Sequence, residues 1–242
     1  MIKLKKIPIS IVIPTLGNRN ISFCLNSISL SSYLPKEILI VVPSENYNKV
    51  KYKSSYYKKL SIKIILSKKK DQVYQRILGF KKAKCNYIMQ LDDDVKLTKD
   101  CLFRLYKFIK DKNDIAVAPR YADKVKFSPI YKRPKNIILK IYHWLLNSKK
   151  GFKPGTISLC GFNYAEENHL SGFKNHEWLS GGAIMHYKKN VLFKNYYPYN
   201  FNRSICEDIL HSLILRKNKI KLIKLYSARV FAAESSRINN EI

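Results

Sequence analysis

Acid is scarce in this sequence: 17 Asp and Glu face 46 Lys and Arg, for a formal charge of +29. Such a balance invites an acidic partner: nucleic acid, anionic lipid headgroups or a phosphorylated substrate. Lys, Ile, Asn and Tyr are abundant together, however, and a compositional bias accounts for the excess equally well, so charge alone selects no partner. Paired cysteines are also missing. Cys24, Cys85, Cys101, Cys160 and Cys206 are scattered, with no CxxC and no His at zinc-finger spacing, which reads as reduced cytosolic thiols, mostly packing residues. No uninterrupted apolar stretch reaches the roughly 20 residues a spanning helix needs, so a soluble or peripheral protein is expected. The opening MIKLKKIPISIVIPTLG imitates a signal peptide, but Pro8 and Pro14 break its apolar run and no small-residue cleavage site follows. A first strand is the better reading.

What the chain does have is length, core and alternation. Its 242 residues, 46% of them hydrophobic, suit one domain, 1–242, read as a first half over 1–98 and a second over 99–242. The β-branched run Ile9 to Pro14 reads as a buried strand, and Ile21, Leu25 and Ile28 recur at helical spacing after it. Glu37 to Val42 and Ile62 to Leu66 are the next strands. Asp71 can cap a helix running to about Lys84, with Val73, Ile77 and Phe80 on one face. Asn86 to Leu91 is a fourth strand. Strands alternating with helices predict an α/β fold with a mostly parallel sheet, whose ligands bind at the carboxyl ends of the strands. The second half is less regular: a helix over Cys101 to Ile109, a strand over Ile115 to Ala118, a strand from Glu177 to Tyr187 interrupted by a Gly pair, a helix over Ile205 to Arg216 and a short strand at Lys219 to Ile223.

The fourth strand delivers the chain into Asp92, Asp93 and Asp94, the densest acid in a basic sequence. In an extended segment Asp92 and Asp94 share a face and Asp93 points away. Two convergent carboxylates repel unless a cation sits between them, and hard oxygen ligands suit Mg²⁺ or Mn²⁺ completed by substrate phosphates. The duller reading is an acidic turn, with Asp100 capping the next helix.

ISIVIPTLGNR, YQRILGFKKAKCNYIMQLDDDV, WLSGGAIMHYKKNVL and CEDILHSLILRKNKIKLI, four segments in order along nearly all of the chain, together resemble a family 2 glycosyltransferase of the GT-A fold. The resemblance implies a Rossmann-like, mostly parallel central sheet flanked by helices with a smaller acceptor-side subregion, so that 1–98 is the nucleotide-binding half and 99–242 the acceptor-side half. It implies inverting transfer of a sugar from a nucleotide-diphosphate donor to a carbohydrate or lipid-linked acceptor, assisted by Mg²⁺ or Mn²⁺. Asp92 would then sit near the ribose and the metal, and Asp94 would ligate the metal. Thr15, Arg19 and Arg76 would line the nucleotide-sugar cleft. Thr15 also has a duller role in closing the turn after Pro14, and the two arginines as surface charges. Cell-envelope polysaccharide or glycolipid assembly, in the cytoplasm or at the inner face of the cell membrane, is the corresponding setting. Two departures stand out. The second strand ends Val41-Val42-Pro43-Ser44-Glu45, with Pro43 where a base-contacting acid belongs. The last strand runs on as Arg229 to Glu234, without the metal-proximal His.

Glu207-Asp208 carries the other half of the implied chemistry. Asp208 is the candidate general base, which must remove a proton from the acceptor hydroxyl. Ser204-Ile205-Cys206-Glu207 also has the spacing of a capping box, and acids in a first turn suit the helix dipole without any catalysis. Trp178, Ser180, Gly181 and Gly182 are candidates for the acceptor side together with Glu207, since paired glycines admit close approach; a plain bulge is the alternative. His169, His176 and His186 lack a metal-ligand spacing. Arg133 to Lys150 sets Ile137, Ile138, Ile141, Trp144 and Leu145 between basic flanks, as either an ordinary packed helix or one lying on an anionic membrane surface.

Other classes remain in view. A nucleotidyltransferase on a related fold also uses metal-bound aspartates, but it opens with a Gly-rich, Arg-bearing loop of which PTLGNRN is a poor version. A nucleic-acid-binding module could use the charge, 17 Tyr and 11 Phe for phosphate contacts and stacking, yet no such motif is present and the acids would have no task. A glycosyltransferase-like protein without turnover is the third.

Overall fold

The computed structural model describes residues 5–122, 133–148, 151–164, 171–197 and 206–232. Its centre is β1 (Lys6–Pro14), paired in parallel with β2 (Leu34–Pro43) on one side and β4 (Tyr87–Leu91) on the other, with β3 (Ile62–Ser67) parallel to β2. The near-continuous apolar run of β1 has its reason here. Ile7, Ile9, Ile11 and Ile13 join the large core on one face, while Val12 packs with Leu39, Val41, Phe80 and Ile88 on the other. A strand covered on both faces needs no polar alternation.

Helices supply both covers. α1 (Ser22–Ser29), α2 (Tyr47–Ser55) and α4 (Cys101–Ile109) bury Leu25, Ile28, Val50, Leu102 and Leu105 in the large core. On the opposite face α3 (Gln72–Lys82) buries Phe80 with Val12, and its Val73 and Ile77 meet Leu210 and Ile214 of α6 (Glu207–Lys217). A side chain at Gly79 would collide with Val12, so glycine lets α3 lie directly on the sheet. Asp71 caps α3 as expected, accepting from the Tyr74 amide at 2.7 Å.

Beyond β4 the sheet becomes mixed. β8 (Ala183–Tyr187) is antiparallel to β4, followed by β6 (Ile115–Tyr121), β9 (Lys221–Ala232) and β5 (Val95–Leu97); among the described residues eight strands run in the order β3-β2-β1-β4-β8-β6-β9-β5, and β7 (Phe173–His176), the ninth, pairs with β9. α5 (Ile137–Asn147) lies between β6 and β7 in the sequence.

Several expectations change. The strand read from Glu177 begins only at Ala183, because Gly181 and Gly182 form a turn. β9 extends to Ala232 rather than Ile223, held by β6, β5 and β7. Asp100 stands at the N-cap of α4 without bonding its amides and instead accepts from the Ser32 hydroxyl. Among the cysteines, Cys24, Cys85 and Cys101 are buried and all five are free thiols.

Candidate active site

The carboxyl ends of β1 and β4 put Thr15 and the three aspartates side by side. Asp92 follows β4 directly, and the Val95 amide donates to the Asp92 carbonyl at 3.2 Å, so Asp92 to Val95 is a turn and not an extended strand. Side-chain alternation therefore fails, and the expectation that Asp93 is turned aside is corrected. Asp93 is buried and accepts from the Thr15 hydroxyl at 2.6 Å and from Arg19 at 3.4 Å. Burial pushes its pKa up, against the Thr15 bond and the Arg19 charge, which lower it. Arg19 also pairs with Asp94 at 2.5 Å. Thr15 is itself buried: its hydroxyl accepts from the Gly17 amide at 2.9 Å, and Gln75 ties the Thr15 and Val41 carbonyls together at 2.9 Å each.

Asp92 belongs to a second network. Arg76, 0% exposed, donates to Asp92 at 2.8 Å and to Glu207 at 2.6 Å, with the Gly181 carbonyl at 3.3 Å. One guanidinium thus joins the acids after β4 to the acid pair that opens α6. Burial alone would lower the Arg76 pKa, but Glu207 and Asp92 outweigh it and hold the group charged. Gln72, one turn before Arg76 on α3, donates to the same Asp92 oxygen at 3.0 Å, and the Tyr196 hydroxyl donates to Glu207 at 3.2 Å. Arg76 is accordingly no solvated surface charge.

The Glu207 carboxylate is engaged away from its own helix. α6 starts at Glu207 itself, its N-cap Cys206 is left-handed at φ 58° and supplies no side-chain cap, and Arg76 and Tyr196 already take the Glu207 carboxylate. Ser204 lies outside the described residues, as do His169 and Glu234. Asp208 accepts from the Ile209 amide at 2.9 Å. Burial, and then the neighbouring Glu207 charge, push its pKa up to about 6. That value suits a group that exchanges a proton near neutrality.

The glycine pair sits at the junction of these groups. The Asp92 amide donates to the Gly182 carbonyl at 2.9 Å, and Gln90 donates to the Gly181 carbonyl at 2.7 Å. A Cβ on Gly181 would stand 2.6 Å from Glu207 Oε1 and 3.4 Å from the Asp208 Cβ; one on Gly182 would strike the Tyr121 hydroxyl. The glycines are thus a turn pressed against both acid groups, not a bulge. The Trp178 indole, three residues before the turn, donates to the Tyr164 carbonyl at 3.2 Å. Pro43 is where the sequence places it, and the next acid, Glu45, pairs with Lys70 at 2.6 Å. His186 is buried against His211, and burial holds its pKa well below the usual imidazole value. His176 meets the Tyr226 hydroxyl at 3.1 Å.

Asp93, Gln72, Tyr196 and Tyr121 escaped the sequence reading. Gln72 and Arg76, four apart at the start of a helix facing the strand ends, carried a legible signal; Tyr196 carried none. As for a metal, no group of three or more His, Cys, Asp or Glu is arranged to hold one among the described residues. Arg19 and Arg76 each pair with aspartates and offset part of their charge, so their repulsion does not by itself demand a cation. The donor chemistry does fit: Mg²⁺ or Mn²⁺ needs only one or two protein carboxylates when substrate phosphates complete its shell.

Solved structures with this architecture include the mannosyltransferase PcManGT from Pyrobaculum calidifontis in complex with GDP-Man and Mn²⁺, at 12% identity and TM-score 0.60 over 95% of this chain and 58% of that one. GalNAc-T7 with UDP, GalNAc and Mn²⁺ gives 14% and 0.63 over 95% and 44%. S. aureus TarS 1-349 in complex with UDP-GlcNAc gives 16% and 0.57 over 98% and 62%. These likenesses establish the fold as GT-A, and the chain spans roughly half of each protein's length. No curated protein matches it. The sequence model described as Glycosyl transferase family 2 matches residues 10–167, from β1 past the three aspartates, and the chain belongs to that family.

Proposed function

We propose that this protein is a metal-dependent inverting glycosyltransferase that moves a sugar from a nucleotide-diphosphate donor to a hydroxyl of a carbohydrate or lipid-linked acceptor. The observation that carries the reading is the Arg76 bridge between Asp92 and Glu207, which ties a nucleotide-side acid to the residue adjoining a carboxylate poised near pH 6. Family membership and the nucleotide sugars in the structural neighbours support the donor class.

In this reading Asp208 accepts the proton of the acceptor hydroxyl as its oxygen attacks the anomeric carbon, and the bond from that carbon to the diphosphate breaks on the opposite side. Asp92 and Asp94 would hold Mg²⁺ or Mn²⁺, which offsets charge developing on the leaving diphosphate. Arg19, which pairs with Asp93 and Asp94, would face the diphosphate. Thr15 and Asp93 fix the floor of the nucleotide cleft, and Arg76 and Glu207 fix Asp92 and the start of α6. Gly181 and Gly182 form the turn beside the sugar, packed against Glu207 and Tyr121, with Trp178 on the acceptor side. The nucleotide is bound by residues 1–98 and the acceptor by 99–242. The setting is cell-envelope polysaccharide or glycolipid assembly, at the cytoplasmic face of the membrane.

The test is a thermal-shift screen of nucleotide sugars with Mn²⁺, with Mg²⁺ and with chelator. A donor present at 100 times its Kd stabilises by about 2.7 kcal/mol. The reading expects at least one donor that does so with metal and not with chelator. If none of the common uridine, guanosine, cytidine or thymidine diphosphate sugars shifts the melt, the donor assignment fails.

A further inference from the structure

α5 packs by one face and leaves the other bare. Its inner side is pinned: His143 is buried against Tyr164, whose hydroxyl lies 3.2 Å from His143 Nδ1, and against Phe152, and Asn147 donates to the Gly151 carbonyl at 2.7 Å. Asn136 caps its start through the Leu139 amide at 2.8 Å. On the outer side Ile137, Ile138, Ile141, Trp144 and Leu145 are each at least half exposed, Ile138 at 73%. At about 100° per residue these positions fall within an arc of roughly 120°, a continuous apolar stripe. Because His143 and Asn147 fix the rotation of the helix, it cannot turn to bury that stripe in its own core.

The charge around the stripe is of one sign. Lys135 and Lys140 are exposed beside it, as is Lys153 on the loop below. From Lys124 to Tyr164 the sequence contains no Asp or Glu. Apolar side chains that include a Trp, with lysines at the border, match a headgroup layer of negative charge over hydrocarbon, where the apolar face inserts and each nearby cation adds attraction. At 11 residues α5 is too short to cross a bilayer, and among the described residues no helix is long and apolar enough to do so.

We propose that the outer face of α5 docks on the surface of an anionic lipid bilayer, lying in the interface plane. The docking stands on its own geometry; only its consequence, that the acceptor is presented from the membrane, rests on the glycosyltransferase reading. The loop under α5 accepts the Trp178 indole at Tyr164, and the Ile157 amide donates to Glu177 at 2.9 Å. The lipid-facing helix is thereby tied to the segment leading into Gly181.

The test is co-sedimentation with vesicles of phosphatidylcholine alone or mixed equally with phosphatidylglycerol, without donor or acceptor, so that it is independent of any transfer. The parent protein should sediment with the mixed vesicles only. I138E/L145E should lower the bound partition at least tenfold while leaving the melting temperature within about 2 °C, since both side chains are exposed. A second readout needs no change in α5: in W178F, Trp144 is the remaining tryptophan, and its emission should shift to the blue with the mixed vesicles. The proposal is overturned if the parent stays in the supernatant, if I138E/L145E binds as well as the parent, or if the Trp144 emission is unmoved. It is equally overturned if the parent is a dimer that the same substitutions split, with no vesicle binding, because a second copy would then own the face.

Discussion

Replacing Arg76 by Met removes the guanidinium that joins Asp92 to Glu207 while keeping much of the side-chain volume. Arg76 is fully buried and Glu207 nearly so, which among the described residues leaves the Glu207 carboxylate with the Tyr196 hydroxyl at 3.2 Å. Breaking a buried pair by deleting one partner costs about 3–5 kcal/mol, because the survivor stays uncompensated. Asp92 loses less: its side chain is 21% exposed and keeps Gln72. For a chain of this length each kcal/mol is worth about 2–4 °C, so R76M should melt roughly 6–20 °C lower. R76K keeps the charge but cannot fork to two carboxylates, and should fall between R76M and the parent. R76M/E207Q removes the stranded charge and should recover half or more of the loss, a coupling that a double-mutant cycle on urea or thermal melts reads directly. An R76M melt within about 2 °C of the parent, or a double variant no more stable than R76M, would refute the bridge as the organising contact.

Asp208 gives a pH signature. Its folded-state pKa of about 6 against an ordinary 3.8 means the folded protein binds the proton more tightly. The stabilisation is therefore present at low pH and lost as pH rises through about 4 to 6. D208N does not titrate there, so its stability relative to the parent should rise by up to about 3 kcal/mol from pH 4 to 7 in urea melts; a flat difference would place the carboxylate in open water. The same ionisation should give the parent's kcat/KM an acid limb near pH 6. Gly181→Ala forces a methyl against Glu207 Oε1, and should cost about 1–3 kcal/mol and slow transfer while R76M-type losses in donor binding are smaller; a neutral alanine there would show the turn to be loosely packed.

The half of the fold that was legible in the sequence is the half whose elements are defined by local pattern. β1 and β2 announce themselves as β-branched runs because both faces are covered, and Leu102, Leu105 and Ile109 make α4 readable from Cys101 to Ile109. α2 was not readable, since it buries only Val50 and Ser54. β9 was hidden by Lys221, Lys224 and Arg229, whose charges interrupt the apolar pattern while three neighbouring strands hold the backbone. In the site, Asp92, Asp94 and Asp208 could be singled out by residue type and place. The directions of the aspartates could not, because the hydrogen bond from Val95 to Asp92 makes a turn that the extended-strand rule does not anticipate. Nor could the partner of Glu207 be read: a capping box is a local rule, and the Glu207 side chain accepts from Arg76, 131 residues earlier. Contacts of that range leave no spacing to read.

The central claim, that Asp208 removes the acceptor proton in a transfer that releases a nucleoside diphosphate, is tested most directly with the donor identified by the metal-dependent screen. Product release and donor affinity are measured in parallel for the parent and D208N. The account predicts nucleoside diphosphate from the parent, a donor Kd for D208N within about twofold of the parent's, and transfer slowed on the order of 10²–10⁴-fold, the usual worth of a general base. Pyrophosphate as the product, or a D208N enzyme that transfers at nearly the parental rate, would contradict it.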